Sequence, residues 1–305
     1  MGEFSCNPHP DARFTRVDPP RKGEGNPNCL IPMSPDLHFI LLLALRMVVA
    51  AAFVVTASFI TERAGAVIGA LIATLPISAG PSYVFLALDH DAAFISEGAL
   101  ASFPINAVTM FFCLTYVVLA QRHNTAVSVG GAIAVWIALA ALERLVPWTL
   151  LGGLIANVIA FAICIPAFKP FQHVKMPLVT RRWYDIPVRA GMVATLVTIV
   201  VALSRWVGPF VSGTIALFPV VLASMTLILH PRIGGPATAA MIANGGWGMM
   251  GFGLAIAVLH LAALPLGSAA ALSLALATSV VWNLGLWWIG RRRVAVIASE
   301  ANQSR

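Results

Sequence analysis

The chain has 305 residues, of which 59% are hydrophobic and only 10% are charged. Soluble domains carry about 25% charged residues, so this composition argues against an ordinary soluble enzyme or binding module and favours a protein that spans a membrane. The net charge of +7 would suit nucleic acid as a partner, but its distribution argues against one, because the cations lie in loops and at helix ends and form no basic stripe interleaved with aromatic residues.

The first 36 residues are polar, with many Pro, Gly, Asn and charged side chains. A segment of this composition cannot bury a hydrophobic core, so residues 1–36 are predicted to be a disordered tail. Met33 is an alternative start of the protein, and a chain that begins there would lack most of the tail.

Apolar stretches of bilayer-spanning length follow one another from Leu37 to Ile289. They predict an all-α integral membrane protein, because barrel strands would alternate at every second residue and these runs do not. About nine transmembrane helices are predicted, at 37–60, 64–88, 94–120, 125–143, 147–168, 186–204, 207–230, 236–262 and 268–290. Pro104 and the run 245–248 (Gly-Gly-Trp-Gly) are expected to tilt or break the third and eighth spans. Eight and ten spans are the alternatives.

Cations in short loops predict the orientation in the membrane. They cluster after the fifth and ninth spans, at Lys169, Lys175, Arg181, Arg182, Arg291, Arg292 and Arg293. With nine spans both clusters lie on one side, which the positive-inside rule makes cytoplasmic, so the C-terminus is predicted to be cytoplasmic and the N-terminus external. Four cations of the tail conflict with this orientation, namely Arg13, Arg16, Arg21 and Lys22. A start at Met33 would remove the conflict.

An internal duplication is the most informative pattern. Sliding residues 46–76 by 143 positions places them, without a gap, on residues 189–219. The identical pairs are Arg46 and Arg189, Ala51 and Ala194, Val54 and Val197, Gly65 and Gly208, Ile72 and Ile215, Ala73 and Ala216, and Pro76 and Pro219. The copies begin five spans apart, and an odd number of spans reverses the direction of the chain, so the repeat is predicted to be inverted.

The duplication predicts four plus one plus four helices. A first repeat of four transmembrane helices occupies 37–146, and a linking helix with a cytoplasmic loop occupies 147–185. A second repeat of four helices occupies 186–293, and a flexible C-terminal tail occupies 294–305.

Helix breaks and the few polar residues within the spans supply the candidate site. Pro76 and Pro219 cannot donate to the helical ladder, so each frees the carbonyl of the residue four positions earlier, Ile72 or Ile215. Nearby Ser and Thr hydroxyls could satisfy these carbonyls or bind a solute, and a simple packing kink is the alternative interpretation. The candidate residues of a substrate path are Arg46, Thr74, Pro76, Ser78, Gly80, Asn106, Arg189, Thr214, Pro219 and Asn244.

Two of these candidates are cations. Arg46 lies well inside the first span, where a charge needs a partner, a cavity or an interface. It is expected to attract an anionic group, or to pair with a carbonyl or with Glu97. Arg189 lies near the start of the sixth span and can extend toward the interface. Gly208, Ser212 and Ala216 form a row of small residues that predicts close helix packing.

The segment 69–76 (Gly-Ala-Leu-Ile-Ala-Thr-Leu-Pro), followed by Gly80-Pro81-Ser82 and echoed at Pro219, resembles a group of polytopic bacterial inner-membrane proteins with no assigned function. The resemblance implies a location in the bacterial cytoplasmic membrane and nothing about substrate. The duplicated layout is also similar to that of permeases with inverted halves.

The sequence contains no GxxxxGK[ST], HExxH or GxSxG motif, and its four cysteines lack metal-ligand spacing. No catalytic residue, metal site or cofactor is therefore predicted. The pattern favours a secondary transporter that moves a small solute, anionic if Arg46 recruits it, across the lipid bilayer by alternating access. One alternative is a non-transporting scaffold or accessory subunit. Another is a lipid-modifying enzyme that uses residues 89–91 with Glu97. Whether copies form a homo-oligomer is left open.

Overall fold

The computed structural model describes residues 35–63, 79–174 and 182–303, with side chains described at 40–56, 79–174 and 182–290. Every regular element within these ranges is a helix, which confirms the predicted all-α fold for the described part of the chain. Residues 1–34 of the predicted tail lie outside the described residues. The candidates Thr74, Pro76 and Ser78 lie outside them as well.

Ten α-helices follow one another along the described ranges. They are α1 (Pro35–Arg63), α2 (Ala79–Asp89), α3 (Ala92–Leu119), α4 (Thr125–Glu143), α5 (Leu150–Phe168), α6 (Asp185–Ala216), α7 (Val220–Ile233), α8 (Gly235–Asn244), α9 (Gly246–Leu266) and α10 (Ser268–Gln303), with a short 3-10 helix (Lys169–Phe171) after α5. Six of the described helices are long and apolar enough to cross a membrane, namely α3, α4, α5, α6, α9 and α10. Because α10 continues to Gln303, the backbone of most of the predicted C-terminal tail is helical.

Glycine and proline decide where several helices end. Gly208 has φ 73° and ψ −180°, a conformation that glycine adopts without steric cost, and α6 kinks sharply there. Helix α6 ends at Ala216 and α7 begins directly after Pro219, so the helix break predicted at Pro219 is confirmed. A second break separates Asn244, which ends α8, from Gly246, which begins α9, as the glycine run predicts.

Pro104 behaves differently from the other predicted breaks. Helix α3 runs without interruption from Ala92 to Leu119 with Pro104 inside it, so the break considered at this proline does not occur. The reason is tertiary packing, since α3 contacts α4, α5, α6 and α9 along its length. Asn157 Nδ2 of α5 also donates to the Phe103 carbonyl, next to the proline, at 2.8 Å.

Side-chain contacts sort the helix ends into two groups. We call the end of the molecule at which α3 begins the upper end, and the end at which α3 finishes the lower end. Hydrogen bonds at the upper end join His90 to Ser204 at 2.9 Å and Ser96 to His260 at 3.0 Å. At the lower end Tyr116 OH lies 3.0 Å from His230 Nδ1. Helix α6 therefore reaches the upper end near Ser204, and α7 reaches the lower end near His230.

The kink at Gly208 turns the chain back on itself. Asp185, the first residue of α6, forms an ion pair with Arg232 near the end of α7, although 47 residues separate them. A straight helix of 32 residues would extend about 48 Å, which exceeds the roughly 30 Å of a bilayer core. The reversal at Gly208 instead sends the chain from the lower end to the upper end and back.

The closest approach between α3 and α6 occurs at two glycines. A Cβ atom placed on Gly213 would lie 2.1 Å from the Gly98 carbonyl oxygen, and one on Gly98 would lie 3.3 Å from the Pro209 carbonyl oxygen. Ser102 Oγ donates to the Gly213 carbonyl at 2.8 Å, which adds a hydrogen bond to this contact. The returning part of α6 thus packs on α3 with almost no side chain between the two backbones.

Replacing Gly213 with alanine should lower the free energy of unfolding by about 1–3 kcal/mol, because the new methyl group overlaps the backbone of Gly98. Thermal unfolding of purified protein in detergent measures the loss. Gly130→Ala is the matched control, since Gly130 lies on exposed helix surface with no atom within 4 Å of an added Cβ. Equal stability of the two variants would contradict this close packing.

Candidate functional site

A buried polar cluster lies where α3 crosses α9. Asn106 is fully buried, and its Nδ2 donates to Asn157 Oδ1 at 2.9 Å and to the Met249 carbonyl at 3.2 Å. Asn157 Nδ2 in turn donates to the carbonyls of Phe103 and Gly153, each at 2.8 Å. Asn106 Oδ1 has no hydrogen-bond partner among the described residues. The predicted candidate Asn106 therefore joins three helices deep inside an otherwise apolar body.

Helix α3 runs antiparallel to α8 and α9 along its whole length. The contacts, in order along α3, are Ser96 with His260, Asn106 with Met249, and Ala120 with Gly235. The residue number of the partner falls as the number on α3 rises, which is the signature of an antiparallel pair. The cluster at Asn106 lies near the middle of this crossing.

Polar side chains beside the break between α6 and α7 mostly satisfy their own helix. Ser212 Oγ donates to the Gly208 carbonyl at 2.8 Å, and the candidate Thr214 donates through Oγ1 to the Phe210 carbonyl at 3.0 Å. The Ile215 carbonyl, which Pro219 was expected to free, accepts the backbone N–H of Phe218 at 2.9 Å. The break therefore closes as a tight turn within the protein.

Arg46 forms an ion pair with Asp89 at the upper end. Its two terminal nitrogens donate to the two carboxylate oxygens at 2.5 and 2.6 Å, and both side chains are largely buried. The partner is thus Asp89 and not Glu97 or a carbonyl, because the end of α2 lies beside α1. His90 directly follows Asp89. Burial lowers the pKa of His90, and its ring stacks on Phe94 with the centroids 3.8 Å apart.

A second ion pair lies at the lower end. Arg232 Nη1 donates to Asp185 Oδ2 at 2.8 Å, Nη2 donates to Oδ1, and the guanidinium lies over the Tyr184 ring at 5.0 Å from its centroid. The candidate Arg189 lies one helical turn after Asp185 and is partly buried. Sequence reasoning considered Asp89 only for the enzyme alternative and missed Asp185 and Arg232 as site residues, although charges at the ends of consecutive apolar stretches were an available signal.

The remaining candidates lie apart from the cluster at Asn106. Asn244 is exposed and donates to the carbonyls of Ala240 at 2.8 Å and Gln172 at 3.3 Å, so it packs against the turn that follows α5. Gly80 lines an apolar cavity of about 350 Å³ between α1, α2, α9 and α10. The candidates with described side chains therefore do not form one cluster: some lie near the centre of the molecule with Asn106, and others lie toward its upper and lower ends.

A larger and more polar cavity lies at the upper end, and we call it the upper cavity. Its volume is about 690 Å³, and α3, the turn between α4 and α5, and the kink of α6 form its walls. The lining residues are Glu97, Leu100, Ala101, Arg144, Leu145, Val146, Pro147, Trp148, Val207, Pro209, Phe210 and Val211. Glu97 and Arg144 supply charges of both signs, and the helix break at Gly208 borders the space directly.

Neutralising either member of the upper ion pair, with Arg46→Gln or Asp89→Asn, should cost about 1–3 kcal/mol of stability, because the remaining charge is left largely buried without its partner. The double variant should lose less than the sum of the two single losses. Unfolding in detergent across this double-mutant cycle measures the coupling. Arg144→Gln, which removes an exposed cation at the same end of the molecule, serves as the control. Additive losses would contradict the pairing.

Comparisons with known proteins give no relative of this chain. No protein-family model, curated protein or solved structure matches it. Within the described residues, no group of three or more His, Cys, Asp or Glu side chains is arranged to hold a metal ion. The geometry of the helices, the two ion pairs and the upper cavity is therefore the basis for a functional assignment.

Proposed function

We propose that the protein is a secondary transporter for a small solute, built from two inverted copies of one four-helix unit and crossing the membrane nine times. The observation that carries this proposal is the contact between Asn106 and Met249, which lie 143 residues apart. The same shift of 143 aligns residues 46–76 with residues 189–219. Equivalent positions of two copies can touch only close to the symmetry axis that relates the copies.

Helix boundaries outside the aligned segment support the same register. Two pairs of helices begin 143 residues apart, α3 at Ala92 with α8 at Gly235, and α4 at Thr125 with α10 at Ser268. Helix α2 ends at Asp89, and its equivalent Arg232 lies one residue before the end of α7. The sequence alignment did not use these boundaries, so they support the duplication independently.

The direction of the crossing supports an inverted arrangement. Helix α3 and the α8–α9 segment are equivalent under the shift, and they run antiparallel. Two equivalent helices that run in opposite directions are related by an axis in the membrane plane. In this proposal the first copy occupies 37–146, α5 and its loop provide the link, and the second copy occupies 186–293.

Each copy carries an ion pair in a related position. Asp89 and Arg232 are equivalent residues of opposite charge, and each pairs with the first helix of its own copy. Asp185 lies one turn before Arg189, the equivalent of Arg46. The pairs lie at opposite ends, so each holds one end of the proposed transport path closed, and alternating access opens one pair at a time.

The interrupted helices support a transport path near the crossing. Transporters of this class bind solute where discontinuous helices meet at the repeat interface. Here the kink at Gly208 borders the upper cavity, and the break before Pro219 follows the segment that packs on α3. We place the upper end outside a bacterial inner membrane and the lower end in the cytoplasm, because the cation-rich loop after α5 lies at the lower end.

The inverted arrangement predicts that equivalent loop residues face opposite sides of the membrane. His123 and Leu266 are equivalent and both exposed; His123 lies in the turn after α3, and Leu266 is the last residue of α9. His123→Cys should react with an impermeant maleimide from the cytoplasmic side only, and Leu266→Cys from the external side only. Mass labelling of intact cells and inverted vesicles measures the accessibility.

This experiment requires a background without other reactive thiols. Cys6 and Cys29 are therefore replaced by serine, whereas Cys113 and Cys164 are buried and can remain. Trp183→Cys and Leu145→Cys, both at highly exposed positions, provide cytoplasmic and external reference sites. Labelling of residues 123 and 266 from the same side would refute the inverted repeat.

Transport itself is tested with purified protein in liposomes against a panel of labelled small solutes. The wild-type protein should move at least one of them. The double variants Arg46→Cys with Asp89→Cys and Asp185→Cys with Arg232→Cys should each stop this flux once a short bis-maleimide bridges the two thiols, because one end can then no longer open. The unbridged variants are the controls.

The two possible negative results test different parts of the proposal. Absence of flux for every solute would refute the transport function. Flux that continues in both bridged variants would refute alternating access at these two ends.

A further inference from the structure

Glu143 is an acidic residue that the candidate site does not include. It is the last residue of α4, it is 5% exposed, and neither carboxylate oxygen has a hydrogen-bond partner among the described residues. The other acids with described side chains have partners or water: Asp89 and Asp185 are paired with arginine, Asp91 caps α3, and Glu97 is exposed. Glu143 therefore differs from every other described carboxylate.

The fold places Glu143 behind the wall of the upper cavity. Trp136, Ala140 and Glu143 share the buried face of α4 that packs on α3, since Trp136 Nε1 donates to Thr109 Oγ1 at 3.3 Å. The two helices are antiparallel, so Glu143 lies about two turns above that contact, near the level of Ser102. Residues 144–148, which line the upper cavity, follow directly, and Trp148 Nε1 donates to the Glu143 carbonyl at 2.9 Å.

No cation in the described part of the chain compensates this carboxylate. Helix α3 presents Glu97, and the turn after α4 presents Arg144, but both are exposed in the upper cavity. Helix α7 also packs on α4, and its His230 and Arg232 are bonded to Tyr116 and Asp185 at the lower end. No ion pair to Glu143 is formed among the described residues.

A lone carboxylate in an apolar interior is far less costly with its proton than without it. An ionised group that lacks both a partner and water loses several kcal/mol of solvation, so it takes up a proton instead. Water that enters the upper cavity and reaches Glu143 would return that solvation and favour release of the proton. Proton occupancy is therefore tied to whether the wall between Glu143 and the cavity is closed or open.

We propose that Glu143 is a proton-binding site, which exchanges its proton with water in the upper cavity when the wall opens, and with water from the lower end when that end opens instead. The coupling of this cycle to solute movement rests on the proposed transport function. The existence of the proton site does not depend on that transport function. The energy source implied is a proton gradient across the membrane.

The proton site is tested with dicyclohexylcarbodiimide, which reacts with protonated carboxyl groups in apolar surroundings and leaves a stable N-acylurea. Peptide mapping of the full-length protein in liposomes should find this adduct at Glu143, with a yield that falls as the pH rises. Glu143→Gln should abolish the adduct, and Glu97→Gln, the matched control, should retain it. Absence of an adduct at Glu143 in the folded wild-type protein, or a yield independent of pH, would overturn the proton site.

The coupling is tested with whichever solute the liposome panel identifies. Glu143→Gln should lose accumulation driven by a pH gradient while still exchanging solute across the membrane, and Gly130→Ala, on exposed helix surface away from the upper cavity, should keep both activities. Gradient-driven accumulation by Glu143→Gln at the wild-type level would overturn the coupling. A wild-type protein that moves no solute would overturn the transport function and leave the labelling result intact, so the two failures are distinguishable.

Discussion

The packing of other helices around α3 is the constraint on which the described structure depends. Inside a bilayer apolar side chains gain nothing by leaving lipid, so close packing and hydrogen bonds must hold the helices together. Glycines from four neighbouring segments meet α3, and a Cβ on any of them would collide with it: Gly153 against Phe103, Gly213 against Gly98, Gly235 against Ala120, and Gly253 against Asn106. The amides of Asn106 and Asn157 supply the hydrogen bonds at the centre.

The same constraint explains why interrupted helices are tolerated next to α3. A break exposes backbone groups that lipid cannot satisfy, so it must lie within protein or beside water. The turn before Pro219 satisfies the Ile215 carbonyl internally, and the kink at Gly208 faces the upper cavity. Helix α3, by contrast, continues across Pro104, where other helices pack along its length. The broken segments therefore surround a continuous one.

Local chemistry could be predicted from the sequence more readily than long-range pairing. Helical class, the break at Pro219 and the break after Asn244 follow from apolar run length, proline and glycine, which act within a few residues. Asn106 could be singled out because amides are rare inside spans, but its partners could not, because Asn157 and Met249 are brought to it by packing. The ion pairs and the burial of Glu143 could not be predicted for the same reason, because burial of a charge depends on neighbours that are distant in sequence.

In the proposed arrangement of two inverted copies, departures from symmetry bear on function as much as the symmetry itself. A scaffold of two identical inverted halves would present the same chemistry to both sides of the membrane, and the gradient alone would set the direction of coupled transport. The proposed register of 143 puts Leu286 at the position equivalent to Glu143, so among the described residues the lone buried carboxylate lies in one proposed half only. Asp89 and Arg232 are likewise equivalent but opposite in charge. A proton site in a single proposed half lies nearer to one end of the molecule than to the other, so its exchange with water differs between the two open states of the proposed cycle.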